Sequence, residues 1–315
     1  MSFHLVVGHG PAGAATARLL AEQGHQVRVA TRTGRPAGPA VDGVEHLALD
    51  AADPARLAQA ARGAAAIHGC AAPPLPQWAG RWPALAASLC AAAEDSGAVL
   101  VMLGNLYGYG PVVRPMTEDL PLAATGPKGR VRAAAWEQAR ALHEAGRIRA
   151  VEVRASDFFG PGVTEGGHLA SRVLPGLLKG RPIAVLGDPD APHSWTYLPD
   201  VARVMVEVAT EERAWGRPWH VPTAPALPVR TMVERLAAEA GTGPVGVRRL
   251  SPAVLAVGGL FSPLVRELRE VRYQFDRPFV MDSTAYQAAF TVRATPLKEQ
   301  LTATVAWWRE RVRTA

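Results

Sequence analysis

Six residues near the start of the chain carry the clearest chemistry. Gly8-His9-Gly10-Pro11-Ala12-Gly13 has glycine at its first, third and sixth places, after the apolar run Phe3–Val7 and before an alanine-rich stretch. In a strand–turn–helix, the first glycine makes the tight turn. The second lets backbone approach a pyrophosphate, and the third lets helix and strand pack closely. The helix start then offers unpaired N–H groups and a positive dipole end to phosphates. Gly8, Gly10, Pro11, Ala12 and Gly13 are therefore expected to hold a dinucleotide. The end of the second strand selects which one, because a site for NAD usually places an acid there for the ribose hydroxyls. Here the strand ends Ala30-Thr31-Arg32-Thr33, and no acidic residue occurs from Gly24 to Val41. Arginine suits a 2′-phosphate that a carboxylate would repel. The expected cofactor is NADP(H) rather than NAD(H), with Arg32 as the main phosphate contact and Arg28 and Arg35 nearby.

The elements that must position these residues are legible as an alternation. Short apolar runs at Phe3–Val7, Gln26–Ala30, Val44–Leu49, Ala64–His68, Ala98–Leu103 and Arg149–Val153 are separated by helix-like stretches near 12–23, 54–61, 83–96 and 129–145. This predicts an α/β fold, a Rossmann-type doubly wound parallel sheet that binds ligands at the carboxyl ends of its strands. After about residue 155 the pattern loosens into the glycine-rich loop 160–167, a helix around 168–179, a strand near 182–186 and a helix from about 199 to 210. The last two read as a return to the sheet. An amphipathic helix near 297–312 ends the chain. The expected organisation is a Rossmann domain over 1–160 plus about 181–224, and a small, mostly helical substrate lobe over 161–180 and 225–315.

Several segments together resemble the extended and atypical short-chain dehydrogenase/reductases, the NAD-dependent epimerase/dehydratase group. Ile67-His68-Gly69-Cys70-Ala71-Ala72 resembles that family's segment after strand four, beside the cofactor. Asn105-Leu106-Tyr107-Gly108 resembles its "xVYG", Arg154 to Gly162 its "RPxNVYGPG", and Trp195 to Ala202 its "FVHVDDVA". The resemblance spans roughly residues 3 to 210. It implies that Asp50, Ala71 and Ala72 join the cofactor site, and that a substrate lobe contributes Asp157, Phe158, His168, His193, Trp195 and Tyr197. It also implies a possible homodimer through the helices near 83–96 and 129–145.

The departures from that family bear on mechanism. Its usual Ser or Thr with Tyr-x-x-x-Lys, in which the lysine lowers the tyrosine's pKa, is absent. By spacing, Lys128 falls near the tyrosine position, Arg132 near the lysine position, and Leu103 or Gly104 near the serine position. Arg132 is expected to hold the nicotinamide ribose as a fixed cation, being a poor proton carrier. Tyr107 and Lys128 are the candidate proton donors, and Asn105 the candidate to orient a substrate oxygen. Gly104 and Asn105 also occupy the places of the Asp-Glu pair of nucleotide-sugar dehydratases. His193 lies near the diphosphate-gripping arginine of many such enzymes, so a smaller or more apolar substrate is expected.

Composition narrows the class. The net charge is +6, and lysine appears only as Lys128, Lys179 and Lys298. The arginines are scattered with no basic run interleaved with aromatics, so nucleic-acid binding is not expected. Cys70 and Cys90 fit neither a metal spacing nor a CxxC motif and read as buried thiols of a reducing compartment. No signal peptide or membrane span is expected, hence a cytoplasmic protein with a small-molecule substrate and no metal. The leading expectation is an NADP(H)-dependent oxidoreductase that reduces or epimerises at a carbonyl or carbinol carbon. A non-catalytic NADP(H) sensor or scaffold, and a non-redox lyase or cyclase, remain open alternatives.

Overall fold

The computed structural model describes residues 3–36, 41–164, 166–251, 254 and 260–314. The chain divides into two compact units: 1–110, 121–155 and 201–221 form the first, and 111–120, 156–200 and 222–315 the second.

The first unit is built on a seven-stranded parallel sheet. Its strands are β1 (Phe3–Val7), β2 (Gln26–Thr31), β3 (Val44–Ala48), β4 (Ala64–Gly69), β5 (Val99–Asn105), β6 (Arg149–Ala155) and β11 (Pro218–His220). Their order is β11-β6-β5-β4-β1-β2-β3. The direction of winding therefore reverses between β1 and β4, the switch point where doubly wound sheets bind ligands. β1 is buried along its whole length, as a central parallel strand must be when helices cover both faces. Alternation in β1 divides the core. Leu5 and Val7 pack in one cluster with Ile67, Leu100 and Trp136. Val6 packs in the other with Leu20, Val27 and Val29.

Four helices follow the first strands: α1 (Pro11–Glu22), α2 (Pro54–Ala61), α3 (Trp78–Ser96) and α4 (Pro127–Glu144). Three begin with proline at the first position, where its missing N–H costs nothing. In α1, Ala12, Gly13, Thr16, Ala17 and Leu20 are buried, a single apolar stripe at helical spacing. Asp53 caps α2 by accepting from the Arg56 amide at 3.1 Å. Helix α3 starts five residues before the predicted residue 83. Pro83 lies inside it rather than opening it, with Trp82 and Leu85 buried on either side.

The second unit differs from the sequence expectation. Residues 183–185 (β8) do not return to the large sheet; they pair with Val247–Arg249 (β13) within this unit. The residues that complete the large sheet are 218–220, beside β6. Residues 181–200 thus fall in the second unit, not the Rossmann domain. Its helices are joined by three two-stranded sheets, the others being β7 (Asp157–Phe159) with β10 (Trp195–Tyr197), and β9 (Pro192–His193) with β12 (Leu227–Pro228). The helix expected over 168–179 shrinks to Leu174–Leu177, with Pro175 in its first turn, where a proline opens a helix but cannot continue one from the residues before it. A helix at Leu198–Glu207 and the terminal helix Leu297–Thr314 form close to expectation.

Candidate functional site

The glycine loop sits at the switch point, between the ends of β1 and β4. Gly8 has φ +96°, and a Cβ placed there would lie 2.6 Å from the Ala71 Cα. Only glycine fits both the backbone conformation and the close approach. A Cβ on Gly13 would lie 2.0 Å from the Gly8 carbonyl oxygen, so α1 rests directly on the strand end. Gly10 differs: it is exposed, and a Cβ there would meet nothing within 4 Å. Steric need inside the chain explains Gly8 and Gly13. At Gly10 no neighbouring atom among the described residues requires a glycine. No side chain caps α1 and no acid lies in its first turn, so the Ala12 and Gly13 amides are placed to meet an anion. Ala71 and Ala72 border this loop at the end of β4.

After β2 the backbone turns on hydroxyls. Thr31 Oγ1 accepts from the Gly34 amide at 3.0 Å, and Thr33 Oγ1 from the Arg35 amide at 3.3 Å. Arg32 and Arg35 are exposed. Arg28 is engaged elsewhere, paired with Glu45 at 2.8 Å and lying 4.2 Å over the Phe3 ring. Asp50 is exposed beyond β3, where its Oδ1 accepts from the Ala52 amide at 3.1 Å.

The predicted catalytic residues gather at the carboxyl end of β5 and the start of α4. Asn105 Oδ1 accepts from the Tyr107 amide at 3.2 Å, starting the single helical turn Tyr107–Tyr109. That turn is pressed onto α4, since a Cβ on Gly129 would lie 2.5 Å from the Tyr107 carbonyl oxygen. Tyr107 is half-buried with its ring 5.9 Å from Trp78. Lys128, expected near a helix start, is buried there, one turn before the buried Arg132. The Arg132 guanidinium donates to the Leu103 carbonyl at 2.5 Å and lies 4.2 Å over the Trp82 ring. Burial lowers its pKa to about 10, with Glu152 opposing the shift, Arg154 adding to it and Tyr107 opposing it. It therefore stays a cation near neutrality. Its Nε is enclosed and has no hydrogen-bond partner among the described residues.

Sequence reasoning missed the network behind these groups. Glu152, in the middle of β6, pairs with Arg154 at 2.6 Å with both side chains buried. Arg154 also donates to the Tyr109 hydroxyl at 2.6 Å, and that hydroxyl lies 2.7 Å from His220 Nε2. Burial would lower the Arg154 pKa, but Glu152 and Tyr109 prevail and raise it. Gly104 makes room for this pair: a Cβ there would fall 2.6 Å from Glu152 Oε1. The signal available in the sequence was an acidic Glu152 at the centre of the strand Arg149–Ala155, between Val151 and Val153.

In the second unit, four of the six predicted substrate residues come together. His193 Nε2 lies 2.7 Å from Asp157 Oδ2, and its ring is 4.4 Å from Trp195. His168 lies 5.9 Å from Trp195 and stacks on Phe275 at 4.6 Å. Burial is the main cause holding the His168 pKa at about 4. Asp157 acts the other way, and His193 and Arg172 add to the depression. Phe158 is half-buried on β7. Tyr197 is a packing residue: it is buried, and its ring fills the space at Gly160 that a Cβ would enter at 2.7 Å. Asp200, in the "VDD"-like segment, accepts from the Thr295 amide and hydroxyl at 2.9 and 2.7 Å, which ties the chain beyond residue 290 to this segment.

Of the two thiols, Cys90 is buried and Cys70 half-buried. Burial raises them to about 11 and about 12 respectively. Among the described residues, no group of histidine, cysteine or acidic side chains could hold a metal ion, and no helix is long and apolar enough to cross a membrane.

The chain matches the model of the NAD dependent epimerase/dehydratase family over residues 4–221 and belongs to that family. No curated protein matches it in sequence. Its fold is similar to that of the Bordetella bronchiseptica enzyme WbmH in complex with NAD+, with 19% identity, TM-score 0.74, and coverage of 98% of this chain and 99% of that one. It is similar to dTDP-glucose 4,6-dehydratase from Bacillus anthracis in complex with NAD, with 15% identity, TM-score 0.80, and coverage of 98% and 97%. It is also similar to UDP-glucose 4-epimerase from Thermotoga maritima with UDP-glucose, with 16% identity, TM-score 0.79, and coverage of 98% and 99%.

Proposed function

We propose that this protein is an NADP(H)-dependent oxidoreductase that reduces or epimerises at a carbonyl or carbinol carbon of a small molecule. The observation that carries the reading is the cradle of Gly8, Gly10 and Gly13 at the switch point, open only at Gly10. Family membership supports a nicotinamide dinucleotide, as do the NAD complexes of WbmH and the B. anthracis dehydratase. Arg32, with no acid beside it at the end of β2, favours the phosphorylated form.

In this reading the dinucleotide, when bound, supplies the hydride chemistry. The chain does the rest. Ala12 and Gly13 amides hold the phosphates, Arg32 the 2′-phosphate and Asp50 the adenosine side. Arg132, with an uncommitted Nε, holds the nicotinamide end as a fixed cation. Asn105 orients the substrate oxygen, and Tyr107 and Lys128 are this unit's proton carriers. The Asp157 and His193 region contributes to substrate binding in a cytoplasmic enzyme that works without a metal.

The test is a titration with both dinucleotides, followed by turnover on ketones and keto sugars. We expect NADPH to bind more tightly than NADH, and R32E to weaken NADPH about 10- to 100-fold, the worth of one charge-assisted hydrogen bond. NADH binding should change less than threefold. Equal affinity of the wild type for the two would remove the NADP(H) assignment. Tight binding without turnover on any carbonyl compound would favour the sensor reading.

A further inference from the structure

His9 stands between the first two glycines of the cradle, and its side chain leaves β1. Its ring lies 5.1 Å from that of His46 on β3, at an interplanar angle of 84°. β2 stands between β1 and β3 in the sheet, so the contact carries the His9 side chain across β2. His46 is in register with Val29, two residues before the strand end at Thr31 that leads into Arg32. Val29 and Val44 pack with Leu20 on the α1 side of the sheet, and alternation along β3 puts His46 on that side with Val44. Glu45 points the other way, with Arg28. The two histidines thus lie between the glycine turn and the end of β2, where a dinucleotide carries its adenosine ribose.

Two half-buried rings in contact hold one proton more readily than two. Nδ1 of His46 is enclosed and has no hydrogen-bond partner among the described residues. An imidazolium carries N–H at both nitrogens, so charging His46 would bury a donor with nothing to accept it. His9 is therefore the ring that takes a proton. In the free protein, burial and then His46 lower its pKa below the ordinary 6.5, which leaves it largely neutral at pH 7. The other ionisable groups on the bordering elements are Arg18 and Glu22 on α1, Arg32 and Arg35 after β2, and Asp42 and Asp50 before and after β3. All six are exposed, where water and salt screen them.

We propose that His9, backed by His46, is a second contact for the dinucleotide's 2′-phosphate and takes up a proton when that phosphate binds. The proposal rests on the NADP(H) reading above. A phosphate monoester is mostly a dianion at pH 7, its second pKa being about 6. Arg32 offers it a permanent charge. His9 offers a second charge only while the phosphate is present, because the dianion then offsets the burial and the neighbouring ring. The proton passes from solvent to the His9 ring on binding and returns on release. NADH lacks this phosphate and gives no cause for the uptake. Binding that takes up protons tightens as pH falls, so the preference for NADPH over NADH grows from pH 8.5 to pH 7. The phosphate's own titration runs the other way, since cations beside it favour the dianion and release protons.

Calorimetric titrations of the full-length protein with NADPH and with NADH, in buffers of different ionisation heat, count the protons taken up. At pH 7 we expect an uptake of about half a proton or more with NADPH, because a dianion at contact lifts a histidine pKa by about one unit or more, and none with NADH. The ratio of the NADH Kd to the NADPH Kd should grow about fivefold between pH 8.5 and pH 7, as half a proton per binding event implies. H9N should abolish the uptake and flatten the ratio. H46N keeps His9 but removes the ring that opposes its charge, so His9 is partly protonated beforehand and the uptake at pH 7 should shrink. NADPH preferred without proton uptake, equal uptake with NADH, or uptake that survives in H9N overturns the role of His9. Equal affinity of the wild type for the two dinucleotides instead fails the NADP(H) reading itself.

Discussion

At the residue scale, the site splits into positions that sequence spacing reveals and positions that only the fold reveals. The glycine turn at Gly8 and Gly13 was legible because its geometry is local to one strand end. Glu152, Arg154, Tyr109 and His220 were not, because residues from three segments meet only when β6 and β11 pair. Arg132 was singled out by its spacing alone, whereas its anchoring by the Leu103 carbonyl and the Trp82 ring comes from other elements. The buried Glu152–Arg154 pair makes its own prediction. Removing one partner of a buried pair leaves an uncompensated charge and costs about 3–5 kcal/mol. We expect E152A to lower stability by that order, read from the urea midpoint, and to disturb Arg132 as well, since both arginines lie near that carboxylate.

At the element scale, the alternation of strands and helices predicted the sheet with little error. Each strand of a parallel sheet buried on both faces is a short apolar run, and each crossover helix carries one apolar stripe. Beyond residue 155 the elements are two- or three-residue strands and short helical turns. Their pairing depends on distant partners, such as β8 with β13, so no local period announces them. The strand–turn–helix at the start gives a paired prediction. G13A must push α1 away from the Gly8 carbonyl, and we expect it to lose both thermal stability and dinucleotide affinity. G10A adds a methyl into open space from an extended backbone, where such a change leaves stability unchanged or improves it by a few tenths to about 1 kcal/mol. We expect G10A to keep its melting temperature yet bind dinucleotide at least tenfold more weakly. A G10A protein with wild-type affinity would mean that no ligand backbone passes there.

At the scale of the whole molecule, acid sensitivity follows from two histidines inside the large sheet. His4 on β1 and His68 on β4 are buried, with His4 Nδ1 3.0 Å from His68 Nε2. One ring donates and the other accepts, an arrangement that protonating the acceptor ring breaks. Burial is the main cause that lowers them to about 4 and about 3, with His25 adding to the first and His4 and His25 to the second. Unfolded, each titrates near 6.5. The unfolded chain therefore takes up protons that the folded chain refuses, so stability is full above pH 6.5 and falls as pH drops toward 4. Each histidine contributes a slope of about 1.4 kcal/mol per pH unit across that window. We expect urea midpoints of the wild type to fall between pH 7 and pH 4.5 more steeply than those of H4L/H68L. Parallel curves would show that other groups govern acid unfolding.

The missing side chain at Gly104 also constrains what can be built there. A serine or an aspartate at that position needs a Cβ, and the Glu152 carboxylate, locked by Arg154, fills the place where it would go. A single substitution toward the family's usual machinery would therefore meet a clash before it gained any chemistry. Such a substitution requires position 152 to change first or together with it. Building a hydroxyl-bearing side chain at 104 by design therefore has to begin on the neighbouring strand.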